Sequence, residues 1–505
     1  MADTGAPPAD RERSRGLALA VLCSATLMII LDGTIVTVAL PSIQRDLGFA
    51  PASLTWVMNA YLIAFGGLLL LAGRLGDLLG RKRMFLSGLA LFTAASLACG
   101  LSGDQQMLIA ARFVQGAGAA MVSAVSLGMI VGLYSRQQER ARAIAAFSFV
   151  GAAGASIGLV LGGVLTEAIS WHWIFFVNLP IGVLAGVPAT ALLSDDQGAG
   201  LRAGADALGA ILVTAGLMTG VYSLVGTARY GWASAHTLGL AAVAVILIGA
   251  FLARQATAAR PLLALRIFSS RSVSGANLAQ GLVIAAAFGF QVLIALYLQR
   301  VLGYSPAAAG LGLLPTAVVI GTVSLGFSAR LTGRFGERGV LLAGLALVVL
   351  ALALLTRIPV HGSYLVHLLP ALLVFGVGGG LTLPALATLG MSDATPADAG
   401  IVSGLFNTTQ QVGAAIGVAL LSTLAAGRSG QLQHSGLAAA AALTSGYRLA
   451  FAVGAALASA AFAVAATVLR ARPECRRQQP PPCLANRCKV RESGSLPSRG
   501  GHHGR

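Results

Sequence analysis

Leu17 to Leu40 reads LALAVLCSATLMIILDGTIVTVAL, an apolar run whose one charged side chain is Asp32. An α-helix rises about 1.5 Å per residue, so a hydrocarbon layer about 30 Å thick needs roughly 20 such residues. Uncharged stretches of this length return up to residue 469, separated by short turns that hold almost all of the arginines. Inside a bilayer no water satisfies free amides, so each stretch must close its own backbone hydrogen bonds as a helix. Charged residues are only 10% of the 505 and hydrophobic ones 56%, too little charge to cover a soluble surface of this size. The chain is predicted to be an all-α polytopic membrane protein.

The expected spans are 17–40, 54–73, 84–102, 106–131, 143–166, 173–193, 206–226, 236–253, 273–298, 307–329, 339–356, 365–389, 402–425 and 446–469, fourteen transmembrane helices. Arg11, Arg13 and Arg15 precede the first as in a signal peptide, but the run contains Asp32 and leads straight into a second span, so it is read as retained. Basic residues then set the orientation. On the side of the N-terminus lie the cluster Arg74, Arg81, Lys82 and Arg83, then Arg136, Arg140, Arg142, Arg202, Arg254, Arg260, Arg266, Arg271, Arg330, Arg334 and Arg338, and finally the tail. The opposite side has Arg45, Arg229, Arg300, Arg357, Arg428 and Arg448. Both termini are expected to be cytoplasmic.

An internal echo divides the chain. Leu47-Gly48-Phe49-Ala50-Pro51-Ala52 returns as Leu302-Gly303-Tyr304-Ser305-Pro306-Ala307, and Gly76-Asp77-Leu78-Leu79-Gly80-Arg81 as Gly333-Arg334-Phe335-Gly336-Glu337-Arg338. The expected organisation is a cytoplasmic segment 1–16, a six-helix bundle 17–193, two inserted helices with linkers over 194–272, a second six-helix bundle 273–469 and a disordered basic cytoplasmic tail 470–505. The formal charge of +17 is spread through turns and tail rather than gathered on a folded domain, which argues against nucleic acid and for membrane lipids as partner. Cys23, Cys99, Cys475, Cys483 and Cys488 form no CxxC pair, so neither a disulfide framework nor a metal site is expected.

A carboxylate within a span is costly unless it is protonated, paired or wet. Asp32 is therefore either a proton-coupling or cation-contacting group, or a structural lock. Arg112, deep in span 4 and at a comparable depth, either pairs with it, directly or through water or Gln115, or bonds carbonyls elsewhere. In the stretch from Gly73 to Arg83, Gly76 and Gly80 allow a tight turn, and Asp77 can accept from the first amides of span 3 or from an arginine. That loop is either a conformational latch or a topology signal. Gly151, Gly154, Gly158, Gly162 and Gly163 in span 5 let a neighbouring helix approach closely, for gating or for packing. Asn178 follows the interfacial Trp171-His172-Trp173. With Met58, Asn59, Tyr61, Gln115, Asn277, Gln280, Phe288, Gln291, Asn407, Gln410 and Gln411 it either lines a mostly apolar cavity or bonds helix to helix. Glu167 and Asp206 near the interfaces are further coupling candidates.

These residues carry a resemblance. Leu31-Asp32-Gly33-Thr34-Ile35-Val36-Thr37-Val38-Ala39-Leu40-Pro41, the loop from Gly73 to Arg83, Arg112-Phe113-Val114-Gln115-Gly116 and Gly154 to Gly163 resemble motifs of the major facilitator superfamily, in its fourteen-helix drug:proton antiporter family. The resemblance implies two six-helix bundles plus two inserted helices. It further implies a charge relay at Asp77 and Arg81, proton transfer involving Arg112, and an antiporter motif in span 5. Four positions depart from it: Thr37 replaces an asparagine, Leu159 the motif proline, His172 an arginine and Gln410 an arginine. The implied activity is export of small amphipathic organic compounds in exchange for protons, by a cofactor-free monomer that is not an enzyme. No phosphate-binding loop of the glycine-lysine-serine or threonine kind is present to bind ATP. Ala, Gly and Arg richness suits a GC-rich bacterium, and hence its plasma membrane. A dedicated transporter of one metabolite, and a membrane sensor that moves nothing, are the rival readings.

Overall fold

The computed structural model describes residues 8–469, apart from 52, 135–136, 194, 197, 199, 201–205, 259–260, 263–264 and 392–398. The expected tail, with Arg136, Arg202 and Arg260, lies outside the described residues, as do the side chains of Arg11, Arg13, Arg140, Arg142 and Arg229 and the surroundings of Gly151.

Among the described residues the structure is helical without strands, and fourteen helices occupy the fourteen expected places. They are α1 Pro8–Leu47, α2 Trp56–Leu79, α3 Arg81–Gly100, α4 Gln105–Leu133, α5 Gln137–Ala168, α6 Asn178–Leu192, α7 Ala207–Tyr230, α8 Ala235–Thr257, α9 Arg271–Arg300, α10 Pro306–Thr322, α11 Ser328–Leu355, α12 Leu369–Met391, α13 Ala399–His434 and α14 Ala439–Thr467. Thirteen segments are long and apolar enough to cross a membrane, and α5 adds the shorter apolar stretch Ser156–Ala168. The chain is a multi-pass membrane protein.

Several helices outrun their apolar runs, because a backbone ladder continues wherever its amides find carbonyls, while hydropathy reports only where lipid begins. Arg45, Arg300 and Arg428, read from the sequence as turn residues, therefore lie on α1, α9 and α13. The helix starts follow local chemistry. The Asp104 carboxylate accepts from the amides of Gln106 and Met107 at 2.9 Å, and Ser305 accepts from Ala308 N at 3.3 Å with Pro306 as first helical residue. The echoed motifs share backbone geometry: Gly48 and Gly303 have φ of 67° and 71°, and Gly80 and, one place earlier in its motif, Gly336 have 98° and 73°. Only glycine adopts such angles without strain, which explains its return at both places.

Within the first bundle α1 packs on α5 and α6, and α4 on α2 and α3; within the second, α9 packs on α13 and α14, and α11 on α12 and α14. The bundles meet along α1–α9, α2–α13 and α5–α10, and α7 of the α7–α8 hairpin lies against α2 and α13. Hydrogen bonds link the bundles at the arginine-poor end. Gln299 donates to the Val38 carbonyl at 2.9 Å, Ala307 N to the Glu167 carboxylate at 3.0 Å, and Arg300 to the Gln44 side-chain oxygen.

Candidate functional site

Among the described residues the largest fully buried side chain is Arg112, seven residues into α4 and about 10 Å from its start. Its Nη1 donates to Asp32 Oδ2 at 2.5 Å and to Gln115 Oε1 at 2.7 Å, and its Nε to the Val57 carbonyl at 2.9 Å. Gln115 lies one helical turn beyond Arg112, so α4 presents both to α1. Gln115 Nε2 donates to Asp32 Oδ1 at 2.8 Å, and Asn178 Nδ2, from the first turn of α6, to the same oxygen at 3.0 Å. Both members of the ion pair are buried, at 0% exposure for Asp32 and 1% for Arg112.

Three donors and no acceptor face the carboxylate, the arrangement that suits its ionised form. The guanidinium also sits 4.3 Å above the Tyr61 ring and 5.7 Å from that of Phe175, where the ring quadrupoles favour positive charge. Removing one partner of such a pair leaves an uncompensated buried charge, at a cost of about 3–5 kcal/mol. The direct pairing of Asp32 with Arg112 thus holds, with Gln115 and Asn178 added to it, and the Val57 carbonyl is bonded as well.

Asp32 reaches this position because α1 lies very close to α5. A Cβ on Gly162 would stand 2.6 Å from the Ile35 carbonyl oxygen, and one on Gly158 would stand 2.9 Å from that of Leu31 and collide with Thr34 Oγ1. A Cβ on Gly154 would crowd only the Leu27 side chain, 2.9 Å from its Cδ1, whereas Gly163 faces the Pro306 carbonyl of the other bundle. The run of α5 is unbroken through Leu159, whose carbonyl takes the space a Cβ on Gly310 would need.

At the arginine-rich end α2 continues to Leu79 and α3 starts at Arg81, so the turn expected over Gly73 to Arg83 contracts to Gly80 alone. Gly76 leaves room for Val125 and Gly73 borders Ala124. Asp77 does not cap α3 but lies 3.4 Å from Arg81 Nη2, an exposed contact worth little by itself. The cap comes from Asp196, in the linker after α6, which accepts from the amides of Arg81 at 2.8 Å and Lys82 at 3.3 Å. A partly exposed helix start can be reached by any nearby carboxylate, and the linker brings one closer than Asp77 can turn. Lys82 also pairs with Asp195 at 3.0 Å.

The remaining polar candidates divide. Met58 and Asn59 are buried on α2, and neither polar atom of Asn59 has a partner. Gln280 is buried with its Oε1 unpartnered. Asn277 instead bonds helix to helix, accepting from Thr409 Oγ1 at 3.0 Å and donating to the Val273 carbonyl at 2.9 Å. Gln411 packs on Gly66 of α2, Phe288, Gln291 and Gln410 are half-buried, and Asn407 is exposed. Asp206 caps α7 and pairs with Arg254 at 2.7 Å. Sequence reasoning missed Ser96, Cys99 and Phe175 around the buried pair; small neutral side chains such as Ser96 and Cys99 give no signal of their own on an apolar helix, and Phe175 lies in an aromatic run that reads as interfacial.

Comparison with known proteins agrees with this architecture. The sequence profile described as Major Facilitator Superfamily matches residues 22–418. The chain is 39% identical to the cephamycin export protein CmcT of Amycolatopsis lactamdurans over 473 residues, 92% of this chain and 94% of that one. It is 37% identical to the puromycin resistance protein pur8 of Streptomyces alboniger over 454 residues, 88% and 90% of the two chains. A crystal structure of a bacterial homologue of the human lysosomal transporter Spinster shares the fold, with a TM-score of 0.65 at 17% identity, over 93% of this chain and 100% of that one. Two six-helix bundles with an inserted hairpin, matches over 88–92% of the chain to an antibiotic resistance protein and an antibiotic export protein, and the family profile make the chain a member of the Major Facilitator Superfamily, in its branch of fourteen-helix drug:proton antiporters, and not an enzyme.

Proposed function

We propose that this protein exports amphipathic, antibiotic-like organic compounds across a bacterial plasma membrane in exchange for protons, with both termini cytoplasmic. The observation that carries the reading is the buried Asp32 carboxylate, with three donors and an arginine against it. In this conformation the bundles are bridged at the arginine-poor end, so substrate would come from the arginine-rich, cytoplasmic side, and its binding would displace a proton from Asp32. Substrate enters between the bundles, whose lining would include Met58, Asn59, Tyr61 and Gln280. The bundles then rock about the α2–α13 and α5–α10 contacts, opening the arginine-poor end by alternating access.

A proton arriving from outside neutralises Asp32. Arg112 need not move, since it keeps the Val57 carbonyl, Gln115 Oε1 and the Tyr61 face. The Asp32–Arg112 pair passes from neutral to singly positive, which weakens its hold on cationic or hydrogen-bond-donating groups and releases them outward. Each proton moving inward supplies about 2.3 kcal/mol per 100 mV. The Gly80 turn, with Asp77 and Arg81, serves as the cytoplasmic latch.

CmcT is named for cephamycin export and pur8 for puromycin resistance, which supports an antibiotic-like substrate and keeps a second reading in view, export of a single metabolite. The test is uptake by everted vesicles under an imposed pH gradient, with puromycin, a cephamycin and a lipophilic cationic dye. Gradient-driven uptake of dissimilar compounds that compete supports multidrug export, and uptake of one alone supports the dedicated transporter. No gradient-driven uptake of any compound would overturn the proposal.

A further inference from the structure

Ser96 sits on α3, one turn before its end, with no exposure. Its Oγ accepts from Gln115 Nε2 at 2.6 Å and from Asn178 Nδ2 at 2.9 Å. These are the same two nitrogens that donate to Asp32 Oδ1 at 2.8 and 3.0 Å. Each amide NH₂ has two hydrogens, so each spans from the hydroxyl oxygen to the carboxylate, and the four atoms close a ring.

The two amides depend on that hydroxyl unequally. Gln115 is held from its other end as well, since its Oε1 accepts from Arg112 Nη1 at 2.7 Å and from the Cys99 thiol at 3.6 Å. Asn178 has no such second hold: its Oδ1 is buried without a partner, so Ser96 and Asp32 alone fix which way its amide faces. An amide turned over would set its oxygen against the carboxylate, a repulsive contact. We infer that Ser96 is a positioning residue, which aims the Asn178 amide, and with it Gln115, at Asp32 and so favours release of the proton in this conformation.

The inference rests on the proposed role of Asp32 and adds a residue from a helix that the sequence left without a part in it. The charged and titratable neighbours of Asp32 come from three helices: Arg112 of α4, the Tyr61 phenol of α2 and the Cys99 thiol of α3. On its other sides α5 presents Gly158 and Gly162 close to α1, and α6 presents Asn178. The hydroxyl is the part of Ser96 that matters, so threonine should replace it and alanine should not.

The experiment is the pH dependence of puromycin exchange in proteoliposomes for the parent, Ser96→Ala, Ser96→Thr and Asp32→Asn. Without the hydroxyl the carboxylate keeps its proton more readily. The half-maximal point for Ser96→Ala is expected about one pH unit higher, a tenfold change in proton affinity, with Ser96→Thr returned to the parental profile. A Ser96→Ala profile that overlays the parent overturns the inference, and so does a displacement that Ser96→Thr shares in full, which would mark a packing effect. If Asp32→Asn still shows the parental pH dependence, the reading beneath the inference fails instead, so the two failures are separable.

Discussion

Gly162→Ala tests how closely α5 must approach α1. The new Cβ would stand 2.6 Å from the Ile35 carbonyl oxygen, 2.8 Å from Ile35 Cγ1 and 3.1 Å from Ile35 Cα, where ordinary contact begins near 3.4 Å. The gap must open by the difference between 3.4 and 2.6 Å, roughly 0.8 Å, and the obstacle is backbone, which cannot rotate aside. Overpacking of this kind costs about 1–3 kcal/mol, against a gain of up to about 1 kcal/mol from replacing glycine within a helix. Gly249→Ala in α8 isolates that gain, because nothing lies within 4 Å of its Cβ position. The assay is thermal unfolding in detergent together with initial export rate in proteoliposomes. Gly162→Ala is expected to lower the midpoint and to cut the rate roughly 5- to 150-fold if 1–3 kcal/mol falls on the transport cycle. Gly249→Ala should leave the rate unchanged and hold or raise the midpoint. Equal behaviour of the two variants would refute the argument that α1 is positioned by contact with this glycine.

Two further outcomes follow from the ends of the bundles. Glu167→Ala removes the acceptor for Ala307 N at the arginine-poor end, so maleimide should label a cysteine placed at Val301 several-fold faster in that background; an unchanged rate would show that the contact does not hold the bundles together. Partial burial raises the Asp196 carboxyl, but the amides of Arg81 and Lys82 outweigh it and hold the group below its ordinary value. Its contribution is therefore complete above about pH 4 and is lost as pH falls through the lowered native value. Hydrogen exchange at the Arg81 and Lys82 amides should lose protection in that acid window in the parent but show no such step in Asp196→Asn, and a step common to both would contradict the assignment.

The spans were legible because lipid imposes one length and one backbone solution, so hydropathy alone locates helices. Asp32, Arg112, Gln115 and Asn178 stood out for the same reason, since ionised and amide groups are scarce in such helices and must find one another. Ser96 was not legible: a hydroxyl among alanines satisfies itself locally in most helices, and only the arrival of α4 and α6 at its oxygen gives it a part. The contact of Gly163 with Pro306 and that of Glu167 with Ala307 needed the pairing of two distant helices, which spacing along one chain does not contain. Asp196 displaced Asp77 as the cap of α3 because a linker's path is set by packing rather than by periodicity.

The account depends on a proton that Asp32 gives up when substrate binds. The most direct measurement is proton release into a weakly buffered suspension of proteoliposomes on adding transported substrate, for the parent and for Asp32→Asn at equal insertion. A burst of protons in the parent and none in Asp32→Asn is the predicted result; equal release by both would remove Asp32 from the coupling and contradict the mechanism.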